Sequence, residues 1–280
     1  MVAFLSVVAS VALAAAEPSA DRGRTTFEHT CAACHGRNAK GNGPGAPGLN
    51  PHPRDLTETD FRFRTTPSGS APLPADLERT IRRGLPGSAM PSFDALLSDA
   101  EIADLVAFIG SLRSPPDEAA PEAMAIPAIS PATPESISEG QALYTMLECW
   151  RCHGEKGDGR GPSAKGLVDD EGRPMRATDF RHDPLKGGRA PEDVARAILT
   201  GLNGSPMPSY ADALLFARED YPDYGHEAPT REALDALGPD ARATLRDARL
   251  AALVHYVLSL DKRSGFWSIV FRQQPEREPR

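Results

Sequence analysis

All four cysteines of this chain lie in two short blocks, Cys31-Ala32-Ala33-Cys34-His35 and Cys149-Trp150-Arg151-Cys152-His153. Two thiols one helical turn apart, followed at once by an imidazole, are the signature for covalent attachment of a c-type haem. Each thiol can close a thioether to a haem vinyl group. The histidine is then held beneath the porphyrin, where its nitrogen can bind the iron. Such an iron commonly takes a methionine sulfur as its second axial ligand, which raises the reduction potential. Paired thiols serve other chemistries as well: a four-thiolate zinc site, a thioredoxin-like redox centre, or structural disulfides in an exported protein. None of these accounts for a histidine after both pairs.

Of the six methionines, two recur in register. Gly87-Ser88-Ala89-Met90-Pro91-Ser92-Phe93 parallels Gly204-Ser205-Pro206-Met207-Pro208-Ser209-Tyr210, with Met90 55 positions after His35 and Met207 54 after His153. Each precedes a proline that stiffens its loop. The expected iron ligands are therefore His35 with Met90 and His153 with Met207, and the haems are bound by Cys31, Cys34, Cys149 and Cys152. Met124, Met146 and Met175 have no counterparts and are read as packing residues. His29, His52, His182, His226 and His255 lack partners too, with His52 and His182 as spare ligands. Arg54, Arg62, Arg176 and Arg181 are candidates to pair with haem propionates, since a guanidinium matches a carboxylate in two-pronged geometry.

These residues must be positioned by two copies of one unit. The opening segments of the copies lead into Cys31 and Cys149. Lys40-Gly41-Asn42-Gly43 aligns with Lys156-Gly157-Asp158-Gly159, and Thr59-Asp60-Phe61-Arg62 with Thr178-Asp179-Phe180-Arg181. Short helices are predicted from Pro74 to Gly84 and from Pro191 to Gly201, with proline in the first turn and glycine at the end. Each unit closes with an amphipathic helix. One is capped by Ser98 and Glu101 and carries Ile102, Leu105, Val106, Phe108, Ile109 and Leu112. The other carries Leu250, Leu253, Val254, Val257, Leu258 and Leu260. The second opening helix is expected to be capped by Ser138, with Gln141 three residues on. No alternating strand pattern is present, so the fold class is all-α.

With 280 residues and only 6% aromatic side chains, the chain suits two small domains whose apolar bulk a haem would supplement. The 24 glycines and 27 prolines point to long irregular loops. A net charge of −8 argues against nucleic acid as a partner. The apolar run before Glu17, ending Ala14-Ala15-Ala16, reads as an export signal over residues 1–16. It is shorter than the roughly 18 to 20 apolar residues a membrane span needs, so an uncleaved anchor is the lesser reading. The unit boundaries are placed at 21–114 and 138–263. The linker at 115–137 carries six prolines and four acidic residues, a composition for extended, semi-stiff chain. The copies differ by an insertion around 211–246. An apolar tail, Gly265 to Phe271, follows within 264–280 and is expected to pack back on the second unit.

The two attachment blocks and the methionine loops resemble those of tandem dihaem class I cytochromes c, with domains also seen in cbb3-oxidase cytochrome subunits. The resemblance implies two covalently attached haem c groups, periplasmic location, and transfer of single electrons between a protein donor and acceptor without catalysis. An electron-transfer subunit of a larger membrane or molybdenum oxidoreductase is the alternative. A dihaem peroxidase also carries two such motifs, but needs an iron able to open a coordination site, against which the paired methionines argue.

Overall fold

The computed structural model describes residues 17–58, 61–113 and 122–262. The export segment, Thr59, Asp60 and the Gly265–Phe271 tail lie outside the described residues. The first unit consists of α1 (Ala20–Thr30), α2 (Ala32–His35), α3 (Pro74–Arg83) and α4 (Asp99–Ser111). The second repeats the plan with α5 (Pro134–Met146), α6 (Trp150–His153) and α7 (Pro191–Thr200), followed by α8 (Arg231–Asp235) and α9 (Pro239–Ser259). Among the described residues there is no strand, only one isolated bridge between Val168 and Pro174.

In each unit the first and last helices pack together most extensively, and a glycine stands where they cross. A Cβ on Gly23 would lie 2.0 Å from the carbonyl oxygen of Asp104 in α4, and one on Gly140 would lie 2.0 Å from that of Ala252 in α9. No side chain fits there, so the helix backbones touch. Beside each crossing two rings pack, Phe27 on Phe108 and Tyr144 on Tyr256, both with centroids 5.2 Å apart. Ser19 caps α1, and the Asp104 carboxylate receives its N–H together with the Arg22 guanidinium, tying the start of α1 to α4.

The capping box of Ser98 and Glu101 starts α4 as expected. The second opening helix differs from expectation. Its cap is Thr133, whose hydroxyl accepts from Ser136 N–H, and Pro134 takes the first helical position. Ser138 lies inside the helix. Proline without an N–H suits that first turn better than a serine four residues on, so α5 begins within the stretch read as linker. The described residues of that linker before α5, 122–133, are docked. Met124 N–H donates to the Thr65 carbonyl at 2.7 Å, and His255 Nε2 donates to the Ser130 carbonyl at 2.8 Å. Met124, Ile126 and Ile129 pack on the second core.

The insertion is folded onto its own unit. Arg249 of α9, buried, donates to the carbonyls of Leu214 and Phe216 at 2.8 and 3.1 Å and stacks 3.5 Å over the Phe216 ring. Tyr224 donates to Glu139 of α5 at 2.9 Å. Helix α9 starts at Pro239, eleven residues before Leu250, so it takes up the end of the segment read as insertion.

Candidate functional site

The two attachment blocks form the one-turn helices α2 and α6. Each ends on a glycine with positive φ, Gly36 at 76° and Gly154 at 79°. From there the chain turns back over the helix. In the first unit the N–H groups of Gly41, Gly43 and Gly45 donate to the carbonyls of His35, Cys34 and Ala33. In the second, those of Gly159, Gly161 and Ser163 donate to His153, Cys152 and Arg151. These bonds pair Gly41 with Gly159 and Gly43 with Gly161, two positions away from the alignment read by residue type. The reason is steric. A Cβ at Gly43 would lie 2.4 Å from the Ala33 carbonyl, and one at Gly161 2.2 Å from that of Arg151, so glycine is needed at the closest approach.

The histidines are held alike. His35 Nδ1 lies 3.1 Å from the Arg54 carbonyl, and His153 Nδ1 lies 3.1 Å from that of Thr178. A carbonyl only accepts, so Nδ1 carries the proton in both and Nε2 keeps its lone pair for a metal. Burial lowers both imidazole pKa values, opposed by these hydrogen bonds, and His52 lowers that of His35 further. Phe180 stacks on His153 with centroids 4.3 Å apart, while at the corresponding place in the first unit stands Leu56.

The same bonds correct the second alignment. Arg54-Asp55-Leu56, not the block at 59–62, is the counterpart of Thr178-Asp179-Phe180, because Leu56 N–H bonds the carbonyl of Ala39 and Phe180 N–H that of Gly157. Gly48 is six positions before Arg54, whereas Gly166, with the same φ near 80°, is twelve before Thr178. The second unit therefore carries an extra turn, 168–173. The first unit has the longer run between Leu56 and Pro74, which carries Arg62 and Arg64. The two extra segments meet. Arg54 grips Asp170 with both terminal nitrogens at 3.1 and 3.0 Å, and Arg62 bonds Asp169 at 3.2 Å. Arg64, fully buried, donates to the carbonyls of Thr200 and Gly201 at 2.8 and 3.4 Å. Asn203 accepts from Gly69 N–H at 3.0 Å.

This contact brings the candidate ligands to one place. A cavity of about 950 Å³ is lined by Cys31, Cys34, His35 and Met90 of the first unit and Cys149, Cys152, His153 and Met207 of the second. Its walls are largely aliphatic, with Leu77, Ile81, Leu105 and Ile109 on one side and Val194, Ile198, Leu253 and Val257 on the other. His52 and Met175 also line it; His182 instead bonds Asp179 at 2.9 Å on the surface. His29 and His226 are exposed. Of the four candidate arginines, Arg54, Arg62 and Arg176 line the cavity, the last paired with Asp183 at 2.9 Å. Sequence reasoning missed Arg64, Asn203 and the 168–173 turn, because matching 59–62 with 178–181 left the intervals from the histidines nearly equal.

Haem fits what is present. Apolar walls suit a porphyrin face, and the free Nε2 atoms and thioethers suit its iron. The buried Nε of Arg62 has no hydrogen-bond partner among the described residues, which suits an anionic propionate edge. The zinc and redox-thiol alternatives fit less well. No group of three or more His, Cys, Asp or Glu is arranged to hold a metal ion among the described residues. Burial pushes the Cys31 thiol up to about 11 and Cys149 to about 12, the opposite of a reactive thiolate.

The family model described as Cytochrome c matches twice, over residues 20–113 and 137–261. No match was found among curated proteins. A solved chain of the Kuenenia stuttgartiensis reducing HAO-like protein complex Kustc0457/Kustc0458 is 34% identical, with a TM-score of 0.70 over 86% of this chain and 96% of that one. Two helical units with an attachment block apiece, each matched by the same family model, leave one conclusion: the chain belongs to the cytochrome c family, as a haem electron-transfer protein with two such domains in tandem.

Proposed function

We propose that the chain is a periplasmic dihaem carrier of single electrons, with His35 and Met90 on one iron and His153 and Met207 on the other. The observation that carries this reading is the shared cavity, which both Cys-x-x-Cys-His helices and both methionines line. Bound haem would supply a one-electron iron couple; the residues around it set how easily that couple turns over. His35 and His153 are held as Nδ1–H donors to carbonyls, which orients the ring and raises ligand basicity. A histidine and a thioether on each iron leave no open position for oxygen or peroxide, which favours a carrier over a peroxidase. The test is mass and absorption on the exported protein. Two covalent haems per chain and the near-infrared band of methionine-bound ferric iron are expected; a bis-histidine or high-spin spectrum at either haem overturns the ligand assignment there.

A second reading is an electron-transfer subunit of a larger oxidoreductase, a membrane oxidase of the cbb3 type or a molybdenum enzyme among them. It is favoured by the 34%-identical chain, which belongs to a protein complex. Purification from the native host under mild conditions separates the two. A stoichiometric partner supports the subunit, and a monomer that exchanges electrons with added small carriers supports the shuttle.

A further inference from the structure

The loop carrying Met207 is closed from outside its own unit. Gly204, three residues before the methionine, has φ of +67°. A Cβ there would lie 2.7 Å from Arg54 Nη2 and 2.7 Å from Asp170 Oδ2. The Gly204 carbonyl accepts from Arg62 Nη2 and from Asp170 N–H, both at 3.4 Å. Arg54 and Arg62 come from the first unit, and Asp169 and Asp170, which they pair with, from the extra turn of the second. From Gly204 onward the loop is pinned. Ser205 Oγ donates to the Leu202 carbonyl at 2.6 Å and accepts from Met207 N–H at 3.4 Å, while Leu202 N–H bonds the Met207 carbonyl at 3.0 Å. Displacing Gly204 therefore displaces the methionine.

Among the described residues, no hydrogen bond from the second unit reaches the matching loop of the first. Its Gly87, at the same place before Met90 and with φ of +73°, meets the ring of Pro184 from the second unit, to which a Cβ would come within 3.2 Å, an apolar contact in place of a charged clamp.

We infer that Arg54 and Arg62 are positioning residues for the methionine loop of the opposite unit, so that the second haem's sulfur ligand is held by hydrogen bonds in trans and the first's is not. This rests on the reading of Met207 as an iron ligand. A neutral thioether competes with any added ligand. The concentration needed to displace it therefore measures how firmly its loop is held in the binding conformation.

The experiment uses the whole dihaem protein in the ferric state, titrated with imidazole while the near-infrared methionine band is followed. Arg62→Gln and Gly204→Ala are each expected to move half of the band, one haem, to imidazole concentrations about tenfold lower, equivalent to about 1.4 kcal/mol. The other half titrates as in the parent. Arg62→Lys keeps the charge and one contact but not the fork, and restores part of the shift. Met207→Ala identifies the affected half by removing it. If that variant removes half of the band but Arg62→Gln and Gly204→Ala titrate like the parent, or if both halves shift together, the inference is overturned and the ligand reading stands. If Met207→Ala leaves the band whole, the ligand reading fails and the inference falls with it.

Discussion

Arg64 in the first unit closes the C-terminal end of α7 in the second, its guanidinium 2.8 Å from the Thr200 carbonyl. A helix leaves its last carbonyls without intrahelical partners and carries partial negative charge there. A cation from the neighbouring unit satisfies both needs, and the side chain is fully buried in doing so.

Replacing Arg64 by methionine should therefore cost about 3 kcal/mol, the range for removing a charged donor from buried acceptors. The loss falls on the contact between units. Urea unfolding followed by far-ultraviolet dichroism is expected to separate into two transitions where the parent gives one. A single unshifted transition would show that the units are held by something else.

Gly23→Ala and Gly140→Ala each place a methyl group about 2.0 Å from a helix carbonyl. Overpacking at a helix crossing should destabilise by about 3 kcal/mol or prevent haem retention in that unit alone. Haem content per chain by pyridine haemochrome, with thermal denaturation, reads both outcomes. Gly110→Ala in α4, where a Cβ would meet nothing nearer than Arg113 Nη2 at 3.9 Å, controls for the added helical methyl by itself.

The Asp104 carboxylate is held below its ordinary value of 3.8, chiefly by the hydrogen bond from Arg22 and also by that from Ser19 N–H, against the cost of burial. A depressed carboxylate contributes stability that is complete above its unfolded pKa and is lost as pH falls through the folded one. As pH falls below about 4, then, unfolding free energy of the parent should decline more steeply than that of Asp104→Asn. Equal slopes for the two proteins would mean that the Arg22 pair contributes nothing in water.

For the proposed ligands, Met90→Ala and Met207→Ala should each abolish half of the methionine band and lower one of two midpoint potentials, since a thioether raises the potential of a haem iron. Redox titration with optical detection checks both. Potentials unchanged in the two variants would remove methionine from the iron. Because Phe180 stacks on His153 while Leu56 stands in its place in the first unit, Phe180→Leu is expected to disturb only the midpoint that Met207→Ala lowers.

What could be read without coordinates was whatever is local. A thiol pair with a following histidine occupies one helical turn, so Cys31 to His35 and Cys149 to His153 declare their geometry by spacing. Pro74 and Gly84 mark the ends of a helix because they act on the backbone beside them, and Ser98 with Glu101 does the same for α4. The cytochrome c fold and its duplication follow from such signals. The tertiary structure decided what depends on residues distant in the chain. The near-equal intervals from histidine to methionine, 55 and 54 positions, suggested two uniform copies. In the folded protein they hide an extra turn at 168–173 in one unit and a longer run before Pro74 in the other, which offset one another in length. Residue identity aligned Gly41 with Gly157, whereas the carbonyls of α2 and α6 pair it with Gly159. A sum of loop lengths is blind to where the added residues lie. Only hydrogen bonds across space locate them, and here they put Arg54, Arg62 and Arg64 of one unit against Asp169, Asp170 and Thr200 of the other.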